Sequence, residues 1–163
     1  MSLPEKHRVL TSVVAQLSDV LAQMSQAAEA TRKDATHEEA KPENDKDTRA
    51  LEQSYLARGQ AMRAEQLAEQ KEVLRFMPLP TLSADAAVCA GALVELEDEE
   101  GGKRVLFLAP HGGGVETNID GVEILVVTPG SALGAAILGR QQGDDVSVTL
   151  RGKRRTYVIS GVR

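Results

Sequence analysis

Leu10, Val13, Leu17, Val20, Met24 and Ala27 follow one another at alternating steps of three and four, with no glycine or proline inside residues 5–34. This heptad spacing marks a helix with a narrow apolar seam. Such a seam has to be covered by a second element. The next regular stretch, about 45–74, is also helical. Leu51, Tyr55, Met62, Gln66 and Val73 lie near one stripe, with Leu56, Leu67 and Leu74 beside it. Ala50, Ala57, Ala61, Ala64 and Ala68 raise helix propensity and permit close approach, while Gly59 is a weak point. The simplest fold for two such helices is an antiparallel hairpin. Arms of about 30 residues, rising about 1.5 Å per residue, make a rod on the order of 45 Å long.

The far end of this rod carries the segment HEEAKPENDKD, residues 37–47, with Glu38, Glu39, Glu43, Asp45 and Asp47 close together. Like charges repel, so the segment is either a well-hydrated tip or a tip built to meet a cation. Hard carboxylate oxygens on a thin projection suit Mg²⁺, which is seldom caged by one protein and accepts ligands from several sources. His37-Glu38-Glu39 lacks the second histidine of a zinc-protease helix.

Met77-Pro78-Leu79-Pro80 ends the second helix, and the pattern then changes to strands. Strands are expected over 89–98, 103–110, 122–129, 146–151 and 155–162, with a short helix over 131–140. The division is 1–76 for an antiparallel coiled coil with an acidic tip near 37–47, and 77–163 for a small α+β domain with a mostly antiparallel sheet. The glycine run His111-Gly112-Gly113-Gly114 lacks the Gly-Lys-Ser/Thr ending of a phosphate loop and reads as a flexible hairpin loop.

Composition narrows the function. The only aromatic side chains are Tyr55, Phe76, Phe107 and Tyr157, which leaves almost no platform for stacking bases. The formal charge of −5 argues against phosphate-driven binding by the molecule as a whole. Cys89 is the single cysteine, so an intrachain disulfide and a cysteine-rich zinc site are excluded. No apolar run approaches the roughly 20 residues of a membrane span, and the first apolar stretch is broken by Ser12, Gln16, Ser18 and Asp19. A cytoplasmic protein without a membrane partner is expected. The histidines are scattered, and no serine or cysteine sits in a nucleophile setting, so no autonomous enzyme is expected.

The segment TPGSALGAAILGRQQGDDVSVTLRGKRRTYVISGV resembles the closing segment of the GreA/GreB transcription elongation factors. Ser131, Leu133, Gly134, Leu138, Gly139, Gly143, Asp144 and Tyr157 occupy matching places over about 35 positions, and the upstream hairpin extends the likeness over nearly the whole chain. The resemblance implies an FKBP-like C-terminal domain that docks at the rim of the secondary channel of bacterial RNA polymerase. It also implies a coiled coil that enters the pore, where tip carboxylates help bind the polymerase's catalytic Mg²⁺ so that backtracked RNA is cleaved. On this reading Glu39, Glu43, Asp45 and Asp47 are the metal-approaching residues. Pro129, Gly130, Ser131, Leu133 and Gly134 touch the polymerase. The chain has no cofactor of its own, meets RNA or DNA only inside the polymerase complex, and is expected to be monomeric.

Two departures stand out. Aligning Glu43-Asn44 with the family's Glu-Asn puts Ala40 where an aspartate is usual, and Ala132 replaces the proline of Ser-Pro-Leu-Gly. Pro42 shapes the turn locally by biasing Lys41 away from helical geometry. Cleavage activation and a pore-occupying inhibitor or modulator therefore both remain open. An unrelated coiled-coil interaction module is the rival from another class. Prolyl isomerase activity is not expected, because so few aromatics cannot line the pocket such enzymes use.

Overall fold

The computed structural model describes residues 3–38 and 46–163. The chain begins with two long helices, α1 (Lys6–Glu38) and α2 (Lys46–Arg75). Six strands and a short helix follow: β1 (Leu93–Asp98), β2 (Lys103–Leu108), β3 (Glu116–Ile119), β4 (Val122–Val127), α3 (Ala132–Ile137), β5 (Asp145–Leu150) and β6 (Lys153–Val162). All the strands join one sheet in the order β3-β4-β2-β1-β6-β5. Four of its pairings are antiparallel, and β2 with β4 is parallel.

The parallel pair has a local cause. Strand β3, which the sequence pattern does not reveal, lies outside β4 and pairs with it antiparallel, so β4 returns along β2. The chain reaches β3 through residues 109–115. These bond to the end of β4: Ala109 N–H donates to Val127 O (2.9 Å), Gly114 N–H to Val126 O (2.9 Å), and Val126 N–H to Val115 O (2.8 Å). The glycine run is thus a crossing bonded to β4, with Gly112 against the helices and Gly113 and Gly114 exposed, and not the free hairpin loop expected from its composition. Gly112 has φ +78°, and a β-carbon there would meet Leu74 and Val13 at 3.4 and 3.5 Å. Those are ordinary contact distances, so it is the left-handed backbone, and not a lack of space, that calls for glycine here.

Alternation along the central strands fills both faces of the sheet. Leu93, Val105, Phe107, Ile124 and Val126 point toward the helices. Val94, Leu96, Leu106, Leu108 and Val127 point to the opposite side, where they join Leu133 and Ile137 of α3, and Tyr157 and Ile159 of β6. Burial on both faces explains why β4 reads as a continuous apolar run.

The helical hairpin is fastened by its base. Val9, Leu10, Val13 and Leu17 of α1, with Leu74 and Met77 at the end of α2, share one cluster with the sheet. Each such side chain, fully buried, contributes about 1.5–3 kcal/mol by leaving water. The expected α1 seam holds at Leu10, Val13 and Leu17, but Val20 is 42% exposed and Ala27 is exposed; Leu21 takes the half-buried place. On α2 the stripe through Ala64, Leu67, Lys71 and Leu74 turns inward, whereas Leu51, Tyr55, Met62 and Val73 are exposed. Beyond Met24 and Ala64 the hairpin buries no described side chain: those from Ser25 to Lys33 and from Thr48 to Arg63 are all exposed. Among the described residues, the close seam expected along the whole rod is confined to its lower half.

A polar ladder sets the direction of α1. Arg8, Ser12 and Gln16, four residues apart, share one helix face. Arg8 makes a two-pronged ion pair with Asp120, its second contact 2.9 Å long; Ser12 Oγ meets Thr117 Oγ1 at 2.6 Å; Gln16 Nε2 donates to Glu116 O at 3.0 Å. The ladder lies against β3 and so also covers a sheet edge that would otherwise invite pairing. At the foot of α1, Lys6 Nζ donates to Pro80 O, and Arg163 Nη1 donates to Leu3 O (2.5 Å) and Pro4 O (3.3 Å). Helix start, linker and C-terminus are thereby clasped together.

Candidate functional site

The turn after β4 and the first turn of α3 hold the five residues expected to touch a partner: Pro129, Gly130 and Ser131 precede the helix, and Leu133 and Gly134 lie within it. Ser131 organises the turn. Its extended backbone (φ −79°, ψ 156°) precedes α3, and its Oγ accepts from Gly134 N–H at 3.1 Å while donating to Thr128 O at 2.8 Å. Ser131 N–H also donates to Thr128 O, at 2.9 Å. This is the capping geometry that serine favours, since it satisfies a helix-terminal N–H that has no partner in the helix.

Gly134 lies where α3 crosses the end of β4. A β-carbon there would sit 1.9 Å from Thr128 O and 2.7 Å from Thr128 C, far inside contact distance. Leu133 and Gly134 are buried, Ser131 is half-buried, and Pro129 and Gly130 are exposed. The first two shape the turn from within, and the proline and glycine form its outer surface. Beside them, Ala132, Ala135 and Leu138 make the exposed face of α3, with Leu138 46% exposed. The helical spacing in the sequence identifies Leu138, but only the packing shows that it faces outward.

A second polar centre lies on β1. A bulge in the β1–β6 pairing sets Glu95 opposite Gly161 and Leu96 opposite Ile159, so Ser160 is the extra residue. Its Oγ donates to Glu95 Oε1 at 2.8 Å, and Lys103 Nζ donates to the same oxygen at 2.9 Å. Burial pushes the Glu95 carboxyl up, but the bonds from Lys103 and Ser160 and the nearby lysine charge outweigh it and hold the pKa below the ordinary value. The same contact raises Lys103, as a real pair requires. A depressed carboxylate contributes stability that is fully present above the unfolded pKa of about 4.3 and is lost as pH falls through the folded value. Wild type should therefore exceed Glu95→Gln in unfolding free energy at pH 7, with the gap closing in the acid range. Urea titrations of both proteins between pH 7 and pH 3 check this; a gap that is constant with pH would contradict it.

Of the residues expected to approach a metal, Glu39, Glu43 and Asp45 lie outside the described residues. Asp47 belongs to α2, but its side chain also falls outside them. Among the described residues no group of three or more histidine, cysteine, aspartate or glutamate side chains is arranged to hold an ion. None of the described helices is long and apolar enough to cross a membrane. A cleft of about 500 Å³ is bounded by β2, β3 and β4, with Lys103, Arg104, Glu116, Thr117, Asn118 and Glu123 as its polar lining. Phe107 and Tyr157 are both buried in the sheet's cores.

The architecture defines a class: a helical hairpin carried by its base on a small α+β domain, with a capped turn and short helix on the opposite face. No protein-family model matches the chain. It is 35% identical to the transcription elongation factor GreA of Acidiphilium cryptum over 114 residues, covering 70% of this chain and 67% of that protein. It is 38% identical to GreA of Desulfovibrio desulfuricans over 90 residues, 54% of this chain and 51% of that protein. The match spans about half the length of this second relative. The chain belongs to the GreA/GreB family of transcription elongation factors. Among solved structures it is similar to Gfh1 of Thermus aquaticus, with a TM-score of 0.41 at 18% identity over 91% of this chain and 92% of that one.

Proposed function

We propose that this protein binds bacterial RNA polymerase through the secondary channel, its β domain at the rim and its helical hairpin in the pore, and that it stimulates cleavage of backtracked RNA. The observation that carries the reading is the pairing of a capped β4–α3 turn with a two-helix projection on a single domain, in a chain of this family. Arms of 33 and 30 residues reach about 45–50 Å at about 1.5 Å per residue, enough to take a tip deep into a partner. Their upper halves expose Leu51, Tyr55, Leu56 and Met62, which gain cover only against another surface. The base, held by the Leu74 cluster and the Arg8–Asp120 pair, gives such a projection a fixed origin.

Glu39, Glu43, Asp45 and Asp47 would supply hard oxygen donors to Mg²⁺, a donor set this ion accepts. Bound there, the ion would supply an activated water for phosphodiester hydrolysis. The protein's own part is to bring these carboxylates near the reaction centre and hold them. A second reading, in which the chain fills the pore as an inhibitor or modulator, is favoured by Ala40 in the place of the family's aspartate.

A pull-down with purified bacterial core polymerase tests binding, and transcript cleavage in stalled complexes tests the tip. Wild type should be retained and should accelerate cleavage. Glu39→Ala/Glu43→Ala should be retained equally yet lose cleavage by at least about tenfold, the lower end of what loss of metal-supporting residues costs. Equal cleavage by the double variant would remove the metal role. Retention without any cleavage would establish the second reading. Light scattering should give a monomer; a stable dimer formed through the helices would support the interaction-module alternative.

A further inference from the structure

The β5–β6 hairpin carries a charge pattern that polymerase docking through the β4–α3 turn does not use. Its end reads Arg151-Gly152-Lys153-Arg154-Arg155, four cations in five residues on a chain whose net charge is −5. All four are exposed, and none makes an ion pair among the described residues. Strand β1 ends beside β6 in an acidic turn, Asp98-Glu99-Glu100, none of whose carboxylates pairs with these cations. Its Asp98 carboxylate is already engaged by the backbone N–H groups of Glu100 (3.1 Å) and Gly102 (2.7 Å).

The geometry thrusts these charges outward. Strand β1 stops pairing with β6 at Asp98–Tyr157, whereas β5 stays paired with β6 as far as Leu150–Lys153. The last four residues of β6 before Tyr157 therefore belong to a two-stranded ribbon that overhangs the sheet. Side chains alternate along it, so Lys153 and Arg155 fall on one face and Arg154 on the other. Arg151 occupies the turn itself with φ +51°, followed by Gly152 at +76°. A side chain other than glycine, asparagine or aspartate is uncommon at that backbone angle, and here it puts a guanidinium at the apex.

We infer that this ribbon is a contact for the phosphodiester backbone of duplex nucleic acid, independent of base sequence. Three of its four cations are arginines, whose planar fork matches phosphate oxygens. A two-stranded ribbon is also narrow enough for a duplex groove. A protein partner fits less well, because protein interfaces carry an apolar and aromatic core. No large apolar side chain is exposed between Arg151 and Thr156. With no aromatic in this stretch, base stacking on single strands has no platform either. The inference does not depend on polymerase binding.

Fluorescence anisotropy of the full chain with labelled duplex DNA and duplex RNA, across a salt series, tests it. Each neutralised phosphate contributes about −0.9 to the slope of log affinity against log salt, so four contacts give about −3.6 on DNA. Raising salt fourfold should then weaken binding about 150-fold. Replacing all four cations by glutamine should abolish this binding at the lowest salt while the melting temperature stays unchanged. Arg151→Gln alone, for use if that variant folds poorly, should flatten the slope by about 0.9. Arg154→Lys/Arg155→Lys should bind nearly as well as wild type. Saturable, salt-dependent binding to either duplex supports the inference. Absence of binding, binding unaffected by the glutamine variants, or equal affinity for a polyglutamate chain would overturn it, the last in favour of an acidic protein partner.

Discussion

Gly134→Ala is expected to destabilise the fold by about 3 kcal/mol, at the upper end of what overpacking a tight site costs. The added methyl would lie 1.9 Å from the carbonyl oxygen of Thr128, and both neighbours are held. Thr128 O accepts bonds from Ser131 N–H and Oγ, and Gly134 belongs to a helix whose cap depends on the same serine. Relief requires either unwinding the first turn of α3 or dragging back the end of β4, and each exposes part of the Leu133–Ile137 core. For a chain of this length the melting temperature should fall by about 6–12 °C. Gly130→Ala provides the control, since a β-carbon at Gly130 meets nothing within 4 Å. That change should stay within about 0.5 kcal/mol. Equal melting temperatures for the two variants would show that the β4–α3 crossing is not the tight joint described.

The second large effect is expected at Leu74. It is fully buried at the foot of α2, against Gly112 of the glycine crossing, while its neighbour Val73 is 48% exposed. Leu74→Ala should cost about 2–5 kcal/mol, because the cavity is walled by a sheet, a crossing loop and α1, which cannot all collapse into it. Val73→Ala should cost within about 0.5 kcal/mol, as exposed substitutions usually do. Denaturant unfolding measures both. Hydrogen exchange should show where the damage falls: amides of Val9 to Leu17 should lose protection in Leu74→Ala, since they share its cluster. If Val73→Ala proved the more harmful, the assignment of the buried face of α2 would be wrong.

Leu74 and Val73 also show why sequence reasoning favoured the wrong stripe on α2. An alanine-rich helix with apolar residues at Leu51, Tyr55, Leu56, Met62, Leu67, Val73 and Leu74 carries two nearly equal stripes, and periodicity does not rank them. The deciding contact is remote, from Gly112 and the sheet. Strand β3 escaped notice for a related reason. Glu116-Thr117-Asn118-Ile119 is short and has three polar residues in four, and Thr117 is buried where its hydroxyl meets Ser12 of α1. The β4–α3 turn was legible as a motif, with Ser131 and Gly134 in their expected places. What each one does there, capping α3 or admitting a close backbone crossing, was not.

Local physics written into the chain therefore determined the existence and length of α1 and α2, the change to strands after Met77, the hairpin of β5 and β6, and the likeness to the family. Each rests on neighbours in the chain, through spacing, propensity and turn residues. Tertiary structure alone decided which face of α2 is buried, that β2 and β4 run parallel, that among its described residues the hairpin is close-packed near its base, and that Leu133 serves the core rather than the surface. Those outcomes depend on contacts between residues tens of positions apart, where burial against a particular partner outweighs any preference a short segment can record.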